Sequence, residues 1–237
     1  MNILVIPDIH LKGWMFDRAT ELMNYGMADK TVCLMDIPDE WGHGHDLDLY
    51  TETFDKAIEY AKRFPETLWC YGNHDLSYIW MQPESGFSPA AVPTVIRKLA
   101  ELRSSLPDGR QLAYVHRIDN VLFTHGGLTD AFVNCYAPDI EYMDTDAVIK
   151  RINSLGFHEI WDDASPVWFR PQYYKEKMYR DKDLLQVVGH TPVKEIECLD
   201  NVFSCDLFST YRNGEPIGTQ EFVLLDTETL EYQGIRR

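Results

Sequence analysis

Residues 70–80 read CYGNHDLSYIW, and they set an amide, an imidazole and a carboxylate, Asn73, His74 and Asp75, directly after a run that reads as a buried strand. That run, TLWCYG (67–72), follows TETFDKAIEYAKRF (51–64), whose Phe54, Ala57, Ile58, Ala61 and Phe64 fall at helical spacing before Pro65 stops it. Polar side chains placed there stand at the end of a sheet. Whether they form a site depends on what the other strands deliver to the same edge.

Working outward, the first half alternates short apolar runs with amphipathic segments. NILVIPD (2–8) precedes a helix-like stretch from about Met15 to Tyr25, and TVCLMD (31–36) follows it. Two βαβ units are complete by residue 72, which argues α/β. Beyond a loop, Ile96, Leu99 and Leu102 mark another helix ending at PDG (107–109). QLAYVHRIDNVLFTHGG (111–127) reads as an antiparallel hairpin turning at Asp119-Asn120. DTDAVIKRINSLG (144–156) predicts a helix with a Thr or Asp cap and Gly156 at its C-cap. Residues 157–183 read as irregular, with the character of a lid, and LLQVVGHTP (184–192) and QEFVLLDTETLEY (220–232) are strand-like. No linker, repeat or low-complexity tract divides the chain, so one domain over 1–237 is expected.

The formal charge of -16, from 38 acidic and 22 basic residues, makes nucleic acid polymers and anionic membranes poor partners. The N-terminal residues lack the charge and apolar pattern of a signal peptide, and no window approaches the length of a membrane span, so a cytoplasmic location is expected. The five cysteines are odd in number and without a C-x-x-C pair, and they read as reduced, mostly buried thiols.

The polar residues behind the strands form a series. Asp8 and His10 follow the first, Asp36 and Asp39 the second, and Asn73 and His74 the third. His125, with Gly126 and Gly127, follows the hairpin, and His190 follows QVVG. Ligands bind at the carboxyl ends of strands in α/β sheets, so these groups converge on one region. Carboxylates, imidazoles and an amide oxygen suit borderline divalent ions such as Mn²⁺, Fe²⁺ or Zn²⁺, and a carboxylate such as Asp36 can bridge two of them. Such a clamp suits phosphoryl transfer.

The motifs DIH (8–10), DIPD (36–39), GNHD (72–75), HGGL (125–128) and GHTP (189–192) together resemble the calcineurin-like metallophosphoesterases. SPVWFRP (165–171) draws the resemblance towards the bacterial and phage-type serine/threonine protein phosphatases. The resemblance implies a four-layer α/β/β/α sandwich of two mixed sheets flanked by helices. It implies two divalent ions, with Mn²⁺ expected ahead of iron or zinc: one held by Asp8, His10 and Asp36, the other by Asp36, Asn73, His125 and His190. A metal-bridging hydroxide would attack phosphorus directly. His74 would be the general acid or a phosphate contact, oriented by Asp39, and Arg170 would donate to the phosphate oxygens. Asn73, His74 and Arg170 would then meet the substrate, a phosphorylated protein or small phosphomonoester. The alternatives are a dinucleoside polyphosphate hydrolase resembling diadenosine tetraphosphatases, or a scaffold of this fold without chemistry.

The sequence departs from that pattern at Met35, where a glycine is usual, and at Glu40, where an arginine is common. Either Glu40 faces away from the phosphate or the site prefers a substrate that brings its own cation. Asp206 stands where relatives have an aspartate, with Tyr211 and Arg212 nearby. His43 and His45 read as a polar loop at the site rim, Tyr173 and Tyr174 as lid packing, and Cys33, His116 and His158 as structural.

Overall fold

The structure, a computed structural model, describes residues 1–236. β1 (Asn2–Ile6) is buried from Ile3 onward, as a central strand with a layer on each face must be. α1 (Trp14–Asn24) returns with Met15, Phe16, Ala19 and Leu22 on its inner face and leads to β2 (Lys30–Cys33). α2 (Leu47–Arg63) starts at Asp46, whose carboxylate accepts the Leu49 N–H at 3.2 Å, and is followed by β3 (Leu68–Cys70). Next come α3 (Asn73–Trp80), α4 (Val92–Ser105), β4 (Leu112–Ala113), β5 (Val115–Ile118) and β6 (Val121–Thr124). Thr129 caps α5 (Asp130–Tyr136), Asp144 caps α6 (Thr145–Ile152), and α7 (Phe157–Ile160) is a single turn. β7 (Leu185–Pro192), β8 (Glu197–Leu199), β9 (Val202–Asp206), β10 (Glu221–Asp226) and β11 (Tyr232–Arg236) complete the described chain.

The strands form two mixed sheets, ordered β11-β10-β1-β2-β3-β4 and β5-β6-β7-β9-β8. Alternate side chains explain why they stack. Ile3, Val5 and Val32 of the first sheet meet Val121, Phe123, Val187 and Phe203 of the second in one apolar layer. Their neighbours Leu4 and Ile6 turn outward to α1 and α2, while Leu122 turns outward to the layer of Phe132 in α5 and Val148 in α6. The result is the expected α/β/β/α sandwich. β1 to β4 run parallel, as do β6, β7 and β9, so their carboxyl ends lie along one edge.

Several local readings change. The loop expected after residue 72 is α3, which begins at Asn73 itself. Ile96 faces outward at 41% exposure; the buried face of α4 is Val95, Leu99 and Leu102. The run 111–118 is not one hairpin strand, because β4 joins the first sheet and β5 the second. Asn153 holds that corner, accepting from the Tyr114 and Val115 N–H groups at 3.1 and 3.0 Å and donating to the Val115 carbonyl at 2.8 Å. Asn153, not Gly156, is the C-cap of α6, and Gly156 opens α7. Residues 161–183 lack regular helix or strand, yet Val167, Phe169 and Tyr179 are buried and the Tyr179 N–H donates to Leu128 O at 2.9 Å. This segment is an anchored wall rather than a lid. Cys33, Cys70 and Cys205 are buried, Cys135 and Cys198 are exposed, and all five are unpaired.

Candidate active site

The turns after β1 and β2 are laced together: the Ile9, His10 and Leu11 N–H groups donate to the carbonyls of Met35, Asp36 and Ile37 at 3.0, 2.8 and 3.0 Å. This register delivers Asp8, His10, Asp36 and Asp39 to one spot. It requires left-handed backbone at His10, Leu11, Met35, Asp36, Asp39 and His190, with φ between 42 and 68°. Each such residue costs about 1–3 kcal/mol in strain, which the surrounding hydrogen bonds must hold. Met35, where the sequence resemblance leads one to expect glycine, is one of them, at φ 58°.

Asp36 is the centre. Its Oδ1 accepts the His74 N–H at 2.9 Å, while Oδ2 lies 3.1 Å from His125 Nε2 and 4.0 Å from His10 Nε2. His125 Nδ1 donates to the Leu34 carbonyl at 2.9 Å, which leaves the Nε2 lone pair for the site. Asn73 Oδ1 approaches the same nitrogen at 3.2 Å. His10 is fixed the same way, Nδ1 to the Asp39 carbonyl at 3.0 Å. Asp8 Oδ1 accepts the His190 N–H at 2.8 Å, whereas Asp8 Oδ2 and His190 Nε2 are buried with no partner among the described residues.

Two buried ligand atoms without partners, amid acceptors aimed at one another, are what a cation resolves. Asp8, His10 and Asp36 form one group of potential ligand atoms within 4.8 Å of each other, and Asp36, His125 and His190 form a second. Asp36 is shared, as a bridging carboxylate must be. The donor set of imidazole, carboxylate and amide oxygen therefore fits two divalent ions. Burial pushes the Asp8 carboxyl well above the usual range, with Asp206 and Asp36 adding to it. For His125, burial alone would lower the value, but Asp36 and Asp8 hold it up to about 9, so Nε2 carries a proton toward Asp36 Oδ2 that a bound cation would displace to take the lone pair.

His74 stands beside this group, its ring 5.2 Å from that of His10. Its Nδ1 donates to Asp39 Oδ2 at 3.0 Å, and Asp39 Oδ1 accepts from the Tyr50 and Tyr78 hydroxyls at 2.7 and 2.5 Å. Burial opposes protonation of His74, yet Asp36 and Asp39 raise it to about 9. Arg170 reaches the same cavity, with Nη1 held by the His190 carbonyl at 2.8 Å and Thr191 Oγ1 at 3.1 Å. The cavity, about 350 Å³, is walled by Trp41, Trp168, Glu84, Gly86, Thr210 and Ile217.

The calcineurin-like phosphoesterase family model matches residues 1–214. The chain belongs to the calcineurin-like phosphoesterases. Members of this family are metal-dependent hydrolases of phosphoester bonds, and the chain carries the candidate ligands for that chemistry. No match was found among curated proteins. Among solved structures, a cold-active protein tyrosine phosphatase is similar in fold, with TM-score 0.56 and 14% identity over 98% of this chain and 78% of its own. A Thermus thermophilus protein aligns with TM-score 0.51 and 13% identity over 99% of this chain and 98% of its own.

Within this phosphoesterase, the remaining sequence candidates fall outside the ligand groups. His43 lies on the exposed rim, 3.7 Å from Asp46, and His45 is exposed. His116 is buried and donates Nε2 to Trp69 O at 3.1 Å, and His158 is exposed on α7. Tyr173 and Tyr174 are exposed and line a separate groove. Tyr211 is exposed and Arg212 stacks on Trp41 at 4.9 Å, outside the cavity lining. Asp206 does line it, with its oxygens taken by the Ser209 N–H and hydroxyl at 3.2 and 2.8 Å.

Glu40 points into the cavity, but its charge is matched. It pairs with Lys12 and accepts from Thr210 Oγ1 and the Trp41 N–H, both at 2.8 Å. Lys12 and Glu84 are the site neighbours that the sequence reading missed. Lys12 follows the DIH motif by two residues, a signal that was available; Glu84 sits in an irregular loop and gave none.

Proposed function

We propose that this chain is a phosphomonoesterase of the serine/threonine protein-phosphatase type that works with two divalent ions, Mn²⁺ ahead of iron or zinc. Asp8, His10 and Asp36 hold one ion, and Asp36, Asn73, His125 and His190 the other. Bound there, the ions would supply Lewis acidity to the phosphoryl oxygens and acidify the attacking water.

The observation that carries this reading is the His74–Asp39 pair beside the Asp36 groups. With Nδ1 engaged by Asp39 at 3.0 Å, Nε2 is the nitrogen left to the cavity, where it holds a proton for the departing alkoxide. Arg170 keeps Nη2 and Nε free of protein partners among the described residues, and these donate to the phosphate. Asn73 and His74 complete the substrate contacts. The proposed substrate is a phosphorylated protein or a small phosphoester, with no nucleic acid polymer or membrane partner. Five unpaired cysteines suit a cytoplasmic setting, and among the described residues no helix is long and apolar enough to cross a membrane.

The test is phosphate release from p-nitrophenyl phosphate, its bis-ester, a phosphothreonine peptide and diadenosine tetraphosphate, with Mn²⁺ or with chelator. Metal-dependent turnover of monoester and peptide is expected. Preferential cleavage of the dinucleotide would move the function to dinucleoside polyphosphates, and silence on all four with metal bound would favour a scaffold. Asp36→Ala and His125→Ala should abolish turnover while far-UV circular dichroism is kept; near-normal activity in either would refute the ligand assignment.

A further inference from the structure

The cavity holds more carboxylates than the chemistry uses, and sorting them by partner isolates one. Asp36 is at the centre of the candidate ligands, and Asp39 is saturated by His74, Tyr50 and Tyr78. Asp206 is bonded to Ser209, and Glu40 is neutralised by Lys12. Glu84 lines the cavity in no salt bridge among the described residues: its carboxylate takes only the Ser85 N–H, with the His74 charge drawing it and that of Asp163 opposing it.

Its place in the cavity is specific. The loop that carries it packs on the proton-donating pair: a Cβ built on Gly86 would lie 3.3 Å from Asp39 Cβ and 4.0 Å from His74 Cε1, and the charges of Glu84 and His74 interact. With His74 as the proton donor proposed above, that is the side on which the leaving group would depart. Trp168 lines the same cavity, its indole edge-on to the His190 ring at 5.6 Å. Indole faces and carboxylates together recognise guanidinium and ammonium groups. The same rim already shows the chemistry, since Arg212 lies 4.9 Å over the Trp41 ring.

We propose that Glu84 is a specificity-determining residue that selects a leaving group bearing a positive charge, so that the substrate class is a phosphopeptide with arginine or lysine beside the phosphorylated residue. The inference rests on the phosphomonoesterase reading above. It disfavours polyanionic leaving groups, because a nucleoside polyphosphate would bring negative charge against an unpaired carboxylate. The net charge of -16 acts in the same direction at long range, attracting basic peptides at low salt.

The experiment compares two phosphothreonine peptides, one flanked by arginine and one by glutamate, in the Mn²⁺-loaded enzyme. A parallel measurement follows binding of the matching non-hydrolysable phosphonate peptides by fluorescence anisotropy. The arginine peptide should be favoured roughly three- to fivefold in kcat/KM, the scale of a half-exposed ion pair. Glu84→Gln should bring the ratio close to one, and Glu84→Lys should invert it, with the same order in the anisotropy series. A ratio that neither variant changes, or a glutamate peptide preferred by the native enzyme, would overturn the proposal. If neither peptide releases phosphate and p-nitrophenyl phosphate is not turned over either, the phosphomonoesterase reading fails, and the phosphonate series still decides charge selection.

Discussion

A methyl group added at residue 72 would fall 1.9 Å from Oδ1 of Asp36, although the backbone there, φ -92° and ψ 168°, is open to any residue. The glycine is needed for approach, not for conformation. Gly72→Ala should therefore leave the fold intact, shift the shared carboxylate by a fraction of an ångström to an ångström and cut turnover about a hundredfold. Mn²⁺ stoichiometry measured beside kcat would locate the loss at the metal; unchanged kcat would mean that Asp36 moves freely. The candidate ligands that the structure gathers around Asp36 were legible in the sequence because the chemistry they suit restricts them to few types at strand ends. The Lys12–Glu40 pair was not, because it joins side chains 28 positions apart that meet only once the turns after β1 and β2 are laced together.

At the scale of the element, α3 shows why a motif can be recognised while its structure is misjudged. The sequence puts Asn73, read as a metal ligand, and His74, read as the general acid, on a loop, yet they are the first residues of a helix, and its eight residues are too few to declare a period amid three polar side chains. Asp75, one position on, ties that helix to the neighbouring turn. Its Oδ2 accepts the N–H groups of Asp36 and Gly72 at 3.0 Å each, and Oδ1 accepts that of Ile37 at 3.1 Å. Burial, then the charge of Asp36, raises its pKa to about 7. Asp75→Asn keeps one carbonyl oxygen and turns an amide toward a backbone donor. The expected cost is about 1–3 kcal/mol of stability, with metal affinity down roughly 10- to 100-fold. Urea unfolding and Mn²⁺ titration measure both, and native affinity in the variant would show that α3 needs no such tie.

Across the whole molecule, the division of the strands between two sheets was the feature that alternation could not reveal. Periodicity marks which residues are buried, but it does not say that β4 and β5, one residue apart, part company at Tyr114. His116 bridges that parting: it sits on β5 and donates across the sandwich to the Trp69 carbonyl of β3 at 3.1 Å. Burial lowers its pKa to about 4, with the positive Lys30 pushing the same way against its backbone hydrogen bonds. The imidazole is therefore neutral when folded and titrates near 6.5 when unfolded. Between those values the unfolded chain binds more protons, so stability rises with pH, is fully present above 6.5, and is lost as pH falls towards 4. His116 alone should remove about 2 kcal/mol by pH 5 and roughly 3 kcal/mol below pH 4. Other groups titrate over the same range, so the test is the difference in urea stability between the native chain and His116→Gln, both in chelator, at pH 7 and pH 5. The native chain should lose about 2 kcal/mol more than the variant over that interval. Parallel pH profiles would mean that this tie between the sheets is not sensitive to acid.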